Sequence, residues 1–389
     1  MRKSRLLNSF KTFFALVGML VVAGLLYVYI TNAAGISTLI SVLGLVKSQA
    51  LYEVNNSQLI QGATAGIVDS MQDPYSKYLD KQTWKDLRER LEAEFGGIGV
   101  YVLQDNEGRL KIVSPIKDTP AYREGVKHGD IILRINNKSA LNMSTDDAVH
   151  LMRGDPGTQL LLGVYRESDK KEYDFRIIRE IINVPSVEDK IISEKPRIGY
   201  IGLNQFHSRS AEEMKESIDE LLEEKKIEGL ILDLRNNGGG DFDASIAIAS
   251  IFLDGQEVVS VVDRQGNKTV HKAGHGKLDI PLVVMVNGDS ASASEILAGA
   301  LQDNKRALLV GDKTYGKGLV QTVYPLGNGG ALKLTTQKYF TPDGTDINEI
   351  GITPDFPVKN EANSEEDRQL QKALEIVKKQ IAGPVSKAS

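Results

Sequence analysis

Between Ile198 and Gln302 the chain alternates apolar runs with amphipathic stretches, and no other feature constrains its fold as strongly. The runs Ile198–Leu203, Leu230–Leu234 and Pro281–Val286 are apolar almost throughout instead of alternating with period two. Strands buried on both faces have this character, and they assemble into parallel sheets covered by helices. Helical stretches fall around them, at Ala211–Glu224, Asp243–Phe252 and Ser292–Gln302. The order predicts an α/β domain with a largely parallel sheet.

Upstream the pattern is different. Phe95-Gly96-Gly97-Ile98-Gly99-Val100 opens a series of short alternating segments, Gly99–Leu103, Leu110–Val113, Ile131–Ile135, Gln159–Tyr165 and Glu172–Ile178. Turn residues such as Asp105-Asn106-Glu107-Gly108 and Asn136-Asn137 separate them. Two helices fit between, Pro120–Glu124 and Ser144–Met152, the second opened by a Ser144/Asp147 capping box.

The N-terminus is of another kind again. Arg2, Lys3, Arg5 and Lys11 precede Thr12–Val46, which holds no charge, and Phe13–Ile30 is almost wholly apolar. That length is about one bilayer crossing, for which a helix needs roughly 17–25 residues. The basic flank predicts a single-pass anchor in a bacterial cell membrane with the rest of the chain on the extracytoplasmic side. A cleaved signal peptide ending near Thr31-Asn32-Ala33 is the rival reading. Residues 48–94 have helical spacing, with Leu59, Ala63, Ile67 and Met71, then, past Asp73-Pro74, Trp84, Leu87 and Leu91. The tail, Ser364–Ile381, predicts an amphipathic helix capped by Ser364 and Asp367, with Leu370, Leu374, Val377 and Ile381 as its stripe. These terminal stripes suggest a homo-oligomer, in the simplest case a dimer. The divisions expected are an anchor segment at 1–47, a helical region at 48–94, two domains at 95–180 and 181–358, and a helical end at 359–389.

Composition removes several chemistries. The net charge is -5 with no basic block, so nothing points to nucleic acid. There is no cysteine, which excludes disulfides, thiolate metal sites and a cysteine nucleophile. The five histidines form no HxxxH or HExxH pattern.

Three segments remain that could carry a reaction. Ser290-Ala291-Ser292-Ala293-Ser294-Glu295 lies where an apolar strand turns into a helix. A serine there is lifted above the sheet edge, and the first-turn N–H groups, which have no intrahelical partner, can hold an oxyanion. The same residues also form a capping box, and spacing does not choose among the three serines. Gly311-Asp312-Lys313-Thr314-Tyr315-Gly316-Lys317-Gly318 nearly matches the phosphate-binding pattern, but Gly318 stands where Ser or Thr must hold magnesium. The other reading makes Lys317 a buried base, since burial disfavours the ammonium and a neutral lysine can take a serine proton. Gln321, four residues on, could orient it. Leu234-Arg235-Asn236-Asn237-Gly238-Gly239-Gly240 follows a buried strand and can present bare N–H groups to an anion, or simply make a tight turn.

Taken together these segments resemble the carboxy-terminal processing peptidases, or tail-specific proteases. The resemblance runs through Leu232–Gly240, Ser290–Leu301 and Thr314–Gln321, and extends to Asp73-Pro74-Tyr75-Ser76-Lys77-Tyr78-Leu79 and Gly351-Ile352-Thr353-Pro354-Asp355. It implies a ClpP/crotonase-like α/β peptidase core with an inserted PDZ domain. It makes the middle serine, Ser292, the nucleophile, Lys317 the base, and Gln321 its support. Ala293 and a glycine of the 238–240 run would donate to the oxyanion. Many members have proline at the position of Gly238, so both Gly238 and Gly239 are candidates. Residues 95–180 resemble a PDZ domain, with Gly97, Ile98, Gly99 and Val100 as its carboxylate-binding loop. Arg153, after the second helix of that domain, is a candidate link to the core. The activity implied is serine endopeptidase cleavage of proteins with exposed C-terminal tails, without metal or cofactor. A catalytically silent, membrane-tethered adaptor is the alternative.

Overall fold

A computed structural model describes residues 2–105, 107–276, 278–361 and 366–383. The chain divides into two compact units, Met1–Tyr78 and Leu79–Ser389.

The first unit is helical. One helix runs Arg2–Gln49, and a second, Asn56–Asp69, is opened by a capping box in which Asn55 and Gln58 exchange backbone and side-chain hydrogen bonds of 2.9 and 3.1 Å. Among the described residues no helix is long and apolar enough to cross a membrane. The anchor expected at Phe13–Ile30 falls partly on side chains outside the description, those of residues 13, 14, 25, 26 and 28–30. The stripe expected in the second helix is only partly covered. Val68 is buried, whereas Ile67 and Met71 are exposed, as are Leu39, Ile40 and Leu45 of the first helix.

In the second unit, helix Lys81–Glu92 leads into strand Glu94–Gly97, which pairs antiparallel with Glu180–Asn183. Between these two strands lies an antiparallel sheet in the order Val100–Gln104, Leu110–Pro115, Ile131–Ile135, Gln159–Arg166, Lys171–Ile178. Its alternation buries Leu160, Leu162 and Val164 on one face, against helices Pro120–Arg123 and Thr145–Met152. Ser144 caps the longer helix as expected, its Oγ accepting from the Asp147 N–H at 3.1 Å.

The remainder is built on a sheet in the order Val187–Glu194, Arg197–Leu203, Gly229–Asp233, Leu282–Val286, Leu308–Gly311, Phe356–Pro357. Every pairing is parallel except the first. Helices Ser210–Glu223, Phe242–Phe252 and Ala293–Asp303 pack on one face around Leu232, Val284 and Leu297. The C-terminal helix, Arg368–Ala382, covers the other face, over Ile198, Ile231, Val283 and Met285. Asp367 caps it; Ser364 lies outside the described residues. Its apolar stripe is therefore spent on the sheet of its own chain. That packing accounts for the stripe within the chain and gives no support to an oligomer face on this helix.

A second sheet has no counterpart in the sequence reading. Glu257–Asp263 pairs with Lys268–Lys272 and with Ala331–Phe340, and the last pairs with Leu319–Pro325.

Candidate active site

The three serines of residues 290–294 have different duties. The Oγ of Ser290 donates to Leu234 O at 2.7 Å, and that of Ser294 to Asn237 O at 2.8 Å. Both are fully buried and hold the glycine-loop backbone in place. Ser292 is half-exposed at the start of helix Ala293–Asp303 and has the capping-box arrangement with Glu295, but its hydroxyl falls short of a full cap hydrogen bond. The Glu295 N–H donates to the Ser292 carbonyl at 2.8 Å. The backbone explains this: Ser292 has φ 56° and ψ -115°, a region a β-carbon resists, at a cost of roughly 1–3 kcal/mol. The conformation persists because both of its peptide groups are held. Its N–H donates to Glu295 Oε2 at 2.9 Å, and its carbonyl accepts from Tyr339 Oη at 3.2 Å and Ile296 N at 3.0 Å.

Glu295 is the centre of the arrangement. Its carboxylate is fully buried, and isolating such a charge costs several kcal/mol unless donors surround it. Four do. Oε2 accepts from the N–H groups of Ser292 and Lys317, each at 2.9 Å; Oε1 accepts from Thr314 Oγ1 at 2.6 Å and Gly316 N at 2.7 Å. A single oxygen thus brings the backbone nitrogens of Ser292 and Lys317 within about 6 Å of each other. Lys317 is half-buried. Burial, reinforced by the neighbouring Lys333 ammonium and opposed by Glu295, pulls its pKa below the ordinary lysine value. Gln321 lies on strand Leu319–Pro325 opposite Thr335, with Nε2 donating to Leu319 O at 3.2 Å.

The glycine loop closes against the serine turn. A β-carbon on Gly239, whose φ is +96°, would lie 2.9 Å from both Ala293 N and Ser292 Cβ, so only glycine fits. The two glycine candidates differ. Gly239 N–H is engaged by Asn237 Oδ1 at 2.9 Å, whereas the N–H groups of Gly238 and Ala293 make no hydrogen bond to another described residue. Asn237 also receives the Ala291 N–H on its carbonyl and donates to Leu203 O.

A second concavity, of about 330 Å³, lies in the antiparallel domain. Gly97, Ile98, Gly99 and Val100 line it together with Val149 and Met152 of helix Thr145–Met152. The N–H groups of Ile98 and Gly99 make no hydrogen bond to another described residue. Arg153 also lines it, stacked 4.4 Å over the Phe95 ring, with Nη1 3.8 Å from Glu89 of helix Lys81–Glu92. The same last turn of that helix is gripped by the core, since Arg90 O accepts from Gln205 and Glu92 O from Arg209. Arg153 thus meets an intermediary helix and not the serine or lysine segments.

Sequence reasoning saw Glu295 only as a cap partner and missed Asn237, Tyr339 and Lys333. The single advance signal was the buried-looking helix around Glu295, in which a carboxylate demands donors.

This is a largely parallel α/β core with a strained serine, a half-buried lysine and an inserted antiparallel domain that carries a groove. Comparison with known proteins agrees. The chain matches the peptidase family S41 over residues 197–358, a PDZ domain over 111–166, and the N-terminal domain of the activating protease CtpB over 31–83. It is 41% identical over 320 residues to the carboxy-terminal-processing protease of Bartonella bacilliformis, spanning 81% of this chain and 73% of that one. It is 38% identical over 311 residues to the carboxy-terminal processing protease CtpA of Bacillus subtilis, spanning 79% and 66%. The solved photosystem II D1 C-terminal processing protease superposes with a TM-score of 0.50 at 28% identity, over 88% of this chain and 91% of that one. The protein belongs to the carboxy-terminal-processing proteases of peptidase family S41, and is a serine-type peptidase carrying a PDZ domain.

Proposed function

We propose that the reaction runs on a Ser292–Lys317 dyad. The observation that carries this is the buried Glu295 carboxylate, which joins the backbone of the half-exposed Ser292 to that of the half-buried Lys317. Neutral Lys317 takes the Ser292 proton as Oγ attacks a peptide carbonyl, then returns it to the leaving amine. Gln321 orients Lys317. The Ala293 N–H and one glycine N–H of the loop, that of Gly238 or Gly239, hold the oxyanion, with Gly239 also packing the loop against the serine. Water then releases the acyl-enzyme. A substrate tail is captured in the PDZ groove as an added strand, its terminal carboxylate at the Gly97–Val100 loop. Labelling of the full chain by a fluorophosphonate, lost in Ser292→Ala and slowed at least tenfold in Lys317→Ala, tests the dyad (~1.4 kcal/mol per tenfold). Labelling that persists in Ser292→Ala defeats it.

The chain is further proposed to sit in a bacterial cell membrane through its uncharged N-terminal stretch, with the peptidase on the extracytoplasmic side. The support is the lack of charge across Thr12–Val46 behind four basic residues, and one helix spanning Arg2–Gln49. Release of the protein from membranes by carbonate wash would refute it. The exposed Leu39, Ile40, Leu45, Ile60 and Ile67 favour pairing with a second copy through the N-terminal helices, and a monomer by light scattering would refute that.

A further inference from the structure

The C-terminal helix approaches the site from the opposite face of the sheet. Arg235, the residue before the glycine loop, is clamped at the end of its strand by Asp233, with Nη2 to Oδ2 at 2.7 Å. Its outer nitrogens also reach Asp367, the helix cap, at 2.9 Å each. The second residue of the helix is Gln369, only 3% exposed. Its Oε1 accepts from Arg235 Nη1 at 3.1 Å, and its Nε2 donates to Val358 O at 2.8 Å and Asp312 Oδ2 at 3.3 Å. Asp312 opens the lysine loop, its N–H held by Val286 O at the end of the strand that leads to Ser292. One buried amide therefore touches the base of the glycine loop and the base of the lysine loop, and both its donor and its acceptor are used.

We propose that Gln369 is a positioning residue for catalysis: through its side chain the C-terminal helix fixes the spacing between the oxyanion-binding loop and the lysine loop. A neutral amide suits this place, because it must accept from a guanidinium and donate to a carboxylate at once. Neither a carboxylate nor an amine can do both. The inference rests on the dyad reading above, in which those two loops carry the reaction. Displacing reacting groups by an ångström costs up to about a hundredfold in rate, so a loosened bridge is felt in turnover before it is felt in substrate binding.

The test compares Gln369→Ala with Asp312→Ala, which cuts the bridge at its other end and leaves the helix untouched. A quenched-fluorescent peptide with an aliphatic C-terminus is followed for kcat and KM separately in the full chain, alongside thermal melting. Both variants are expected to lose about tenfold or more in kcat with KM within about twofold, and the double variant to lose no more than the worse single one. The rise of kcat with pH should shift to higher pH in both, as water reaches a looser Lys317. Three results overturn the proposal: kcat within about twofold of the parent in both variants, losses that multiply in the double variant, or a fall in kcat that tracks the folded fraction. Failure of the dyad itself has a different signature, turnover that survives Ser292→Ala, and the proposal falls with it.

Discussion

Two glycine loops of this molecule sit in opposite surroundings, and the proposed function gives them opposite work. The loop at Gly97–Val100 lines a groove with the aliphatic side chains of Val149 and Met152, and the N–H groups of Ile98 and Gly99 make no hydrogen bond to another described residue. The loop at Asn236–Gly240 is held in a dense polar frame: Ser290, Ser294 and Asn237 fasten its backbone, and Arg235 and Gln369 hold its base. A capture site gains most from apolar area removed from water, and it tolerates backbone freedom. A reaction site gains from donors fixed before the charge develops, and it buries carboxylates and amides to fix them. The first loop should therefore govern KM and the second kcat.

The comparison can be broken hardest at the nucleophile. Ser292→Ala should reduce kcat by about 10⁴-fold or more with the melting temperature preserved, and Lys317→Ala should do nearly the same. Retained turnover in either would place the chemistry elsewhere. Next comes the oxyanion. Gly238→Pro removes one N–H, and Gly238→Ala keeps it with a β-carbon that meets nothing within 4 Å. A kcat about a hundredfold lower in Pro than in Ala assigns the donor to Gly238, and equal rates assign it to Gly239, as the proline of many family members at this position implies.

The pH profile sharpens the same point. Lys317 accepts a proton only when neutral, so kcat should rise with pH through a midpoint below the ~10.4 of an exposed lysine. Lys333→Met removes the neighbouring charge that lowers the Lys317 pKa and should move that midpoint up; no movement would leave burial as the sole cause. On the groove side, Gly99→Ala forces a β-carbon into Thr119 at φ +78° and should raise KM about tenfold with kcat unchanged. The smallest effect is expected from Arg153→Ala, which loses a contact with Phe95 and a partly exposed ion pair and should raise KM about threefold. A kcat effect there would show that helix Lys81–Glu92 carries information from groove to core.

The parts that could be read in advance share a physical cause. Apolar runs and period-two alternation report burial directly, so the parallel strands around Ile231 and Val284 and the groove-domain strands around Ile132 and Leu162 appear where the pattern places them. Strands Leu319–Pro325 and Ala331–Phe340 were not legible, because most of their residues are half-buried and mix Lys, Thr and Gln with aliphatics. Yet these strands supply Tyr339 and Lys333, which act on Ser292 and Lys317.

Local sequence therefore determined the kinds of element present and, through resemblance, the serine, lysine and glycine segments involved. It could not foresee that the cap residue Ser292 sits in a strained turn, or that the three serines differ in surroundings. Tertiary structure separates them: Ser290 and Ser294 are buried and bonded to backbone carbonyls, and Ser292 is half-exposed. A hydroxyl's duty depends on which backbone carbonyl lies beside it, and a carboxylate such as Glu295 is stable in the core only where donors meet it, here three from the distant Thr314–Lys317 segment and one from nearby Ser292. Those partners are 19 to 22 residues away on one side and three on the other, and only the folded sheet brings them to one point.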